Sequence, residues 1–317
     1  MPSSASATVA EALTRFRSGE TVEAAPAPTV TTPAAPATTG RTKHVVFARP
    51  NGEPYYARAI PGATHDVDML RQARGSTLLD NIYVLAYGKP GTGKTSAFEA
   101  AFPDLITVTC NRDTDMDALF GTWVQNPDGT YEWIYGPVAV GAMEGRPVLL
   151  DEIAVAPPQV ITDLYESMDG RGTMRIKNNP KLPVINIADG FWIGGAFNPH
   201  APGADVSDAL LSRFGIHIEA TTDYALAADV GVPAKFIKVA KNLQEKQAGN
   251  KVTFVHQMRE LLIAKKNVER FGMEFAVRNF VGIAPEDDRP IVADVASRVF
   301  GFQVEPLSHG DAVKTAI

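Results

Sequence analysis

The chain has 317 residues, a formal net charge of −6 and an apolar fraction of 45%, values that are ordinary for a globular protein. This length corresponds to about two domains, and the mild acidity argues against a protein whose whole surface binds nucleic acid. The single cysteine, Cys110, excludes an intramolecular disulfide and any multi-cysteine metal site. No apolar run approaches the roughly 18 to 20 residues of a membrane-spanning helix, and no secretion signal is recognisable, so we expect a cytoplasmic protein without a membrane partner.

The N-terminal region is dominated by Ala, Pro, Thr and Ser over residues 1–42, which predicts a disordered tail or linker. It is either passive or a docking segment for a partner. Ordered structure is predicted to begin near Lys43. Two segments rich in β-formers, 44–50 and 54–60, flank Asn51–Gly52, a turn signal that predicts a β-hairpin. A short amphipathic helix is predicted over 66–73.

A phosphate-binding loop is predicted next. The apolar run IYVLAY (82–87) leads into GKPGTGKT (88–95), which matches G-x-x-x-x-G-K-[ST], and a helix is predicted over 94–102. In this motif backbone N–H groups bind phosphate oxygens, Lys94 reaches the β- and γ-phosphates of a nucleoside triphosphate, and Thr95 ligates Mg²⁺. The predicted nucleotide-binding residues of the loop are Gly88, Lys89, Pro90, Gly91, Thr92, Gly93, Lys94, Thr95 and Ser96.

Three later segments place polar residues where the chemistry of a nucleoside triphosphate needs them. The strand VLLDEI (148–153) ends in Asp151, a predicted Mg²⁺ ligand, and Glu152, placed to activate the attacking water. The strand FWIGGAFNP (191–199) ends in Asn198, whose amide can hold that water and sense the γ-phosphate, or which forms a plain Asn-Pro turn. Arg213, in DALLSRF (208–214), is either an arginine finger or one partner of an ion pair.

In this order, GKPGTGKT, VLLDEI, GAFNP and LLSRF resemble an AAA+ ATPase, and within that class the MoxR-like group that includes CbbQ, NorQ, gas-vesicle-type and cobalt-chelatase small-subunit ATPases. The stretches CNRDTDMDALFGTW (110–123) and LYESMDGRGTMRI (164–176) support the narrower placement. The resemblance implies a homo-hexamer in which Arg213 reaches the neighbour's nucleotide, and a client protein, often one with a von Willebrand factor A-type domain. It also suggests Arg259 as a second sensor in a helical lid; a solvated helix arginine is the alternative.

Two further segments have open interpretations. The segment NPDGTYEWIYG (126–136) predicts a second hairpin, whose aromatic residues pack on the core or engage a client polypeptide. The basic segment 171–181 is a solvated loop, or it contacts an acidic partner or DNA. The alternatives to a chaperone-like motor are therefore a DNA-directed AAA+ ATPase and a nucleotide-gated binding protein with little turnover.

The predicted fold class is α/β: a P-loop NTPase (AAA+) core with a five-stranded parallel sheet, followed by a small helical lid domain. Helices are predicted over 234–248, 255–270 and 288–300. The expected division of the chain is a tail over 1–42, a nucleotide-binding core over 43–222, a lid over 223–303 and a C-terminal tail over 304–317.

Overall fold

The structure, a computed structural model, describes residues 44–308. The predicted tail over 1–42 and residues 309–317 at the other end lie outside the described residues. The described residues belong to one compact unit. None of the helices within residues 44–308 has the length and apolar character needed to cross a membrane.

Strands and helices alternate through the first two thirds of the described chain, and helices alone follow. The strands are β1 (Val46–Ala48), β2 (Pro54–Tyr56), β3 (Val84–Tyr87), β4 (Ile106–Thr109), β5 (Gly121–Gln125), β6 (Tyr131–Tyr135), β7 (Pro147–Asp151), β8 (Thr173–Met174), β9 (Ile185–Asn186), β10 (Trp192–Phe197) and β11 (Ile216–Glu219). The helices are α1 (Asp66–Ala73), α2 (Lys94–Ala101), α3 (Met116–Phe120), α4 (Pro137–Glu144), α5 (Pro158–Met168), α6 (Asp208–Leu211), α7 (Tyr224–Asp229), α8 (Ala234–Ala248), α9 (Met258–Phe271), α10 (Met273–Gly282) and α11 (Arg289–Phe300). Two short 3-10 helices cover Leu78–Asp80 and Ile153–Val155.

The central sheet has five parallel strands in the order β11-β3-β10-β7-β4. Strand β10 lies in the middle and is buried along its whole length, as expected for a strand that is covered on both faces by helices. The predicted five-stranded parallel sheet is confirmed. Because all five strands run the same way, the residues that follow β3, β7 and β10 meet at one edge of the sheet.

Both predicted hairpins are present. Strands β1 and β2 pair antiparallel around Asn51–Gly52, and Gly52 has a φ of 79°, which that turn requires. Strands β5 and β6 pair antiparallel, with Trp123 opposite Trp133. The predicted helix at 66–73 is confirmed as α1, whose N-cap is the His65 side chain.

The apolar core consists of two clusters. The first surrounds the parallel sheet and includes large buried side chains such as Phe98 and Trp192. The second lies among α7 to α11 and centres on Phe236 and Phe280, whose rings are 5.0 Å apart. The C-terminal region is therefore helical with an apolar core of its own, as the sequence predicts.

Two local features differ from the sequence-based expectation, the start of one helix and the presence of another. The helix predicted to begin at residue 255 begins at Met258, because Gln257 forms a capping box with Glu260 that fixes the first turn. Helix α10 was not predicted: Gly272, with a φ of 87°, ends α9, and α10 follows it immediately. Cys110 lies one position beyond the end of β4 and is buried there.

Candidate functional site

The loop between β3 and α2 holds the predicted phosphate-binding motif. Its glycines Gly88, Gly91 and Gly93 have φ values of 145°, 79° and 87°, a region that L-residues avoid. The φ of 87° at Gly93 favours glycine, and a Cβ there would lie 2.5 Å from Nη2 of Arg58, so it would also push this side chain aside. Helix α2 begins directly after Gly93, and its free N–H groups and dipole make this end of the helix suited to an anion.

Lys94 lies buried within this loop. Its Nζ donates to the carbonyl oxygens of Gly88, at 2.8 Å, and of Lys89, at 3.2 Å. Burial lowers the pKa of the Lys94 ammonium, whereas the nearby carboxylates of Glu152 and Asp151 act in the opposite direction. The ammonium is thus held at the loop by two neutral carbonyls, which a phosphate oxygen could replace with a stronger charged contact.

The rest of the loop is tied to its surroundings. Thr92 donates from Oγ1 to the carbonyl of Lys89 at 2.9 Å, which closes the loop on itself. The Lys89 side chain reaches Gln247 of α8, and burial lowers the pKa of its ammonium. Pro90 is exposed at the tip, and Ser96 lines a cavity together with Arg259.

Thr95 and Asp151 meet at the carboxyl edge of the sheet. Thr95 Oγ1, in the first turn of α2, donates to Asp151 Oδ2 at 2.8 Å. Asp151 is the last residue of β7, and its other oxygen, Oδ1, accepts from the backbone N–H of Glu152 at 3.1 Å. A hydroxyl and a carboxylate in contact beside a phosphate-binding loop are the oxygen ligands that Mg²⁺ prefers, so the residues present fit this ion.

Glu152 has an unusual backbone conformation. Its φ and ψ are 56° and 36°, in the left-handed region, which for a non-glycine residue costs about 1 to 3 kcal/mol. This conformation directs the side chain toward the neighbouring strand, where Oε2 accepts from the backbone N–H of Asn198 at 3.3 Å. The register explains the contact, because Ala196 of β10 lies opposite Asp151 of β7. Asn198 Oδ1 accepts from the His200 N–H at 3.1 Å, which orients its amide.

Arg259 reaches the loop from the C-terminal helices. Its backbone N–H, in the first turn of α9, donates to the carbonyl of Gly91 at 3.0 Å. Its Cβ lies 2.9 Å from where a Cβ of Gly91 would be. Nearby, Thr222 donates to the Gln257 side chain at 2.6 Å, which fastens the start of α9 to the segment after β11. Six of the predicted site residues therefore meet at the phosphate-binding loop. Two of them belong to it, Lys94 and Thr95, and the others adjoin it: Asp151, Glu152, Asn198 and Arg259.

Arg213 lies elsewhere. It precedes β11 at the amino edge of the sheet, whereas the phosphate-binding loop leaves the carboxyl edge of the adjacent strand β3. Its guanidinium stacks 3.7 Å above the Tyr165 ring, its Nη1 donates to the Ala209 carbonyl at 2.8 Å, and its Nε lies 3.4 Å from Asp169 Oδ1. The structure thus does not bring Arg213 to the nucleotide loop of its own chain.

Two residues outside the predicted motifs also belong to this site. Arg58 contacts the phosphate-binding loop, and Asp66 accepts a hydrogen bond from the backbone N–H of Arg58. The Arg58 side chain donates to the Thr92 carbonyl at 2.7 Å, and a cavity of about 380 Å³ that it lines also contains Lys94, Thr222 and Tyr224. Cavities of a few hundred Å³ are of the size that small ligands occupy. Because Arg58 lies 34 positions from Thr92 in the sequence, only the fold could reveal this contact.

The second hairpin and the basic segment lie next to each other. Trp133 and Tyr135 pack against the core around the sheet, as one of the two interpretations expects. Trp123 and Tyr131 are 53% and 64% exposed, so these two side chains are accessible to a client polypeptide. Asn178 donates to the carbonyl of Gly121 at 3.0 Å, which holds the basic segment against β5. The exposed cations of this segment are Arg171, Arg175, Lys177 and Lys181, of which Lys177 pairs with Asp163.

Part of the chain is similar to a known protein family. Residues 83–214 match the family model of the AAA domain of the dynein-related subfamily. The matched part of the chain, residues 83–214, is similar to an AAA domain. Its fold is that of an AAA+ P-loop NTPase with a helical C-terminal region, and the match to this family model supports an AAA+ ATPase.

Similar proteins include two from bacteria. The uncharacterized protein YojN of Bacillus subtilis strain 168 is 33% identical over 155 residues, which are 44% of this chain and 50% of YojN. An uncharacterized protein of Staphylococcus aureus strain USA300 is 32% identical over 149 residues, 44% of this chain and 56% of that protein. The chain thus spans about half the length of the curated relatives it matches. A solved structure from Cytophaga hutchinsonii, 17% identical, covers 73% of this chain and 78% of its own with a TM-score of 0.39, too low to add to the argument.

Proposed function

We propose that this protein binds ATP with Mg²⁺ and hydrolyses it to ADP and phosphate at the edge of the sheet where β3, β7 and β10 end. The hydrogen bond between Thr95 and Asp151 carries this proposal, because it places both predicted Mg²⁺ ligands directly beside the phosphate-binding loop. In the proposed complex the loop amides and Lys94 bind the phosphates, and Thr95 and Asp151 hold the ion. Mg²⁺ supplies charge neutralisation of the phosphate oxygens.

Glu152 and Asn198 are proposed to act on the attacking water. Glu152 is a carboxylate one residue beyond the proposed Mg²⁺ ligand, and its strained backbone holds the side chain beside Asn198. A water between these two side chains could give a proton to Glu152 while the Asn198 amide orients it toward the γ-phosphate. The nucleophile would then be formed next to the bound phosphates and away from bulk solvent.

A chaperone-like role within the MoxR-like group is the finer part of the proposal. The chain would form a homo-hexameric ring and remodel or activate a partner protein, such as one with a von Willebrand factor A-type domain. The exposed Trp123 and Tyr131 on the second hairpin offer a surface for a client polypeptide. We also propose domain limits of 43–222 and 223–303, since the first apolar cluster ends at Phe214 and the second begins at Ala227.

The test of this function uses two substitutions in the site and one outside it. Glu152→Gln should bind ATP with unchanged affinity but hydrolyse it at least about 100-fold more slowly, since the base is removed. Lys94→Ala should lose ATP binding itself. Phosphate release and binding of a fluorescent ATP analogue would be measured with Mg²⁺ and with EDTA.

The matched control is Glu99→Gln, the same change on a carboxylate of α2 that pairs with Arg49 away from the loop. It should leave both binding and turnover unchanged. Undiminished hydrolysis by the Glu152 variant would remove this residue from the mechanism. A wild-type protein that neither binds nor hydrolyses ATP would overturn the proposed function as a whole.

A further inference from the structure

Arg58 joins two backbone segments that are distant in sequence. It follows β2, outside the phosphate-binding motif. Its Nη2 donates to the carbonyl of Thr92 at 2.7 Å, and its Nη1 donates to the carbonyl of Thr221 at 3.3 Å. One guanidinium therefore holds both the phosphate-binding loop and the segment that leads from β11 into the C-terminal helices.

The position of Arg58 is fixed by a buried carboxylate. Asp66, which is 8% exposed, accepts from the backbone N–H of Arg58 at 3.0 Å and from that of Val67 at 2.9 Å through Oδ1. Its Oδ2 accepts from the Tyr55 hydroxyl at 2.5 Å. Because the backbone of Arg58 is anchored in this way, only side-chain rotamer freedom is lost when the guanidinium binds the loop.

The guanidinium of Arg58 is turned toward the carbonyls of Thr92 and Thr221 and not toward the carboxylate of Asp66. Nε of Arg58 lies 4.0 Å from Asp66 Oδ2, too far for a hydrogen bond. This Nε is buried and has no hydrogen-bond partner among the described residues. A buried unpaired donor costs free energy. An arginine that served only to neutralise Asp66 would turn toward it, so the contacts with Thr92 and Thr221 decide the side-chain orientation.

The contact with Thr92 determines the direction of an amide in the motif. The peptide between Thr92 and Gly93 is planar and trans, so its C=O and N–H point to opposite sides. Arg58 holds the C=O, which turns the N–H of Gly93 away from Arg58. A charged donor on the carbonyl also polarises the peptide and strengthens its N–H as a donor. Backbone N–H groups of such a loop bind nucleotide phosphates.

We propose that Arg58 is a positioning residue that preorients the Gly93 amide for a nucleotide phosphate. It acts through the peptide and does not itself touch the reacting atoms. This inference rests on the proposed ATP-binding function and adds a residue outside its motifs. Gly93 is needed for the same interaction, since any side chain there would displace Nη2 of Arg58 from the Thr92 carbonyl.

The experiment compares Arg58→Ala with Arg71→Ala. Arg71 has the same chemistry at the other end of α2: its Nε and Nη2 donate to the carbonyls of Ala101 and Ala100 at 3.0 and 3.3 Å. We expect Arg58→Ala to weaken binding of a fluorescent ATP analogue and to raise KM for ATP about tenfold. Its kcat should stay within about threefold, because the water-activating groups are untouched. Arg71→Ala should change neither KM nor affinity by more than about twofold.

A second pair of variants keeps the test valid if Arg58→Ala unfolds, which a thermal melt would reveal. Arg58→Lys keeps the charge and one carbonyl contact and should recover part of the affinity, whereas Arg58→Gln, without the charge, should recover less. The inference is overturned if the folded Arg58 variants bind ATP like the wild type, or if Arg71→Ala loses as much affinity. In either case wild-type hydrolysis would leave the proposed function standing; a wild type without ATP binding would remove both.

Discussion

Cys110 lies directly beside the acidic pair at the end of β7. Its backbone N–H donates to the Asp151 carbonyl at 2.8 Å, and the residue is 3% exposed. Burial raises the pKa of the thiol to about 12, and the charges of Asp151 and Glu152 act in the same direction. Since the thiolate is the reactive form, the folded protein holds this cysteine in its unreactive state.

We therefore expect native protein to resist alkylation by iodoacetamide at pH 8. At that pH only about one thiol in 10⁴ would be ionised even if the reagent could reach it, compared with roughly a quarter of ordinary thiols. Mass spectrometry should show no labelling of the native chain within an hour and complete labelling at Cys110 in guanidinium chloride. Fast labelling of the native protein would mean that the carboxyl edge near Asp151 opens readily.

How far individual site residues can be predicted depends on how locally they are determined. Lys94 and Thr95 follow from one contiguous motif, and Asp151 and Asn198 from strands that end in polar residues. The role of Arg58 depends on contacts with Thr92 and Thr221, which are 34 and 163 positions away. No spacing rule connects such positions, so the contact became visible only when the sheet and hairpin were assembled.

At the scale of single elements, the start of α9 is held by a buried histidine. The His256 ring stacks on Phe280 with centroids 3.5 Å apart, and its Nε2 lies 2.7 Å from the Phe280 carbonyl. Since a carbonyl only accepts, Nε2 carries the proton, and the buried Nδ1 has no hydrogen-bond partner within residues 44–308. Burial lowers the pKa of His256 to about 4, although the bond to Phe280 opposes this shift.

This arrangement predicts that acid destabilises the fold. The unfolded chain binds a proton on His256 near pH 6.5, whereas the folded chain does so only near pH 4. Stability from the neutral ring is therefore fully present above pH 6.5 and is lost as the pH falls toward 4, by up to about 3 kcal/mol. Urea unfolding between pH 7.5 and 4.5 would measure it.

The control for this prediction is His256→Phe, which cannot titrate. It loses the bond to the Phe280 carbonyl and should be less stable than the wild type at pH 7.5. Its unfolding free energy should nevertheless fall less steeply with acid, since only the other titratable groups remain. Parallel pH profiles for the two proteins would contradict the assignment of the loss to His256.

The boundaries of helices and strands could be predicted where a single residue type determines them. They could not be predicted where the packing of the folded chain determines them. The strand before the phosphate-binding loop is apolar and ends at glycine, so its end at Tyr87 was close to the prediction. Helices α9 and α10 form one polar and apolar periodic stretch in the sequence, broken only by Gly272. The predicted end of the first helix at residue 270 is close to the end of α9 at Phe271, whereas α10 begins after Gly272 with no side-chain cap, so no capping residue marks its start.

At the scale of the whole molecule, the two arginines considered for nucleotide chemistry lie at different ends of the sheet. Arg259 adjoins the loop at the carboxyl edge. Arg213 lies at the amino edge, on the other side of the four-residue strand β3, which spans about 13 Å. Arg213 could therefore assist hydrolysis only at the nucleotide of another copy of the chain.

We predict that Arg213→Ala binds ATP normally but hydrolyses it about 10³- to 10⁵-fold more slowly, as expected for loss of an arginine finger. The control is Arg298→Ala on α11, which removes an exposed arginine that pairs with Asp294 and should leave turnover unchanged. Thermal unfolding of Arg213→Ala must be compared too, because the change also removes the contacts with Tyr165 and Asp169.

Mixing separates action in trans from a structural effect. Arg213→Ala subunits keep an intact loop and acidic pair, and Glu152→Gln subunits keep Arg213, so neither protein alone should hydrolyse ATP. If the chain forms the proposed ring, an Arg213→Ala site in a mixed assembly can receive Arg213 from a Glu152→Gln neighbour, and activity should rise as the second protein is titrated in. If a mixture of the two folded variants stayed inactive, Arg213 would act only within its own chain, where its contacts with Tyr165 and Asp169 would then account for its effect.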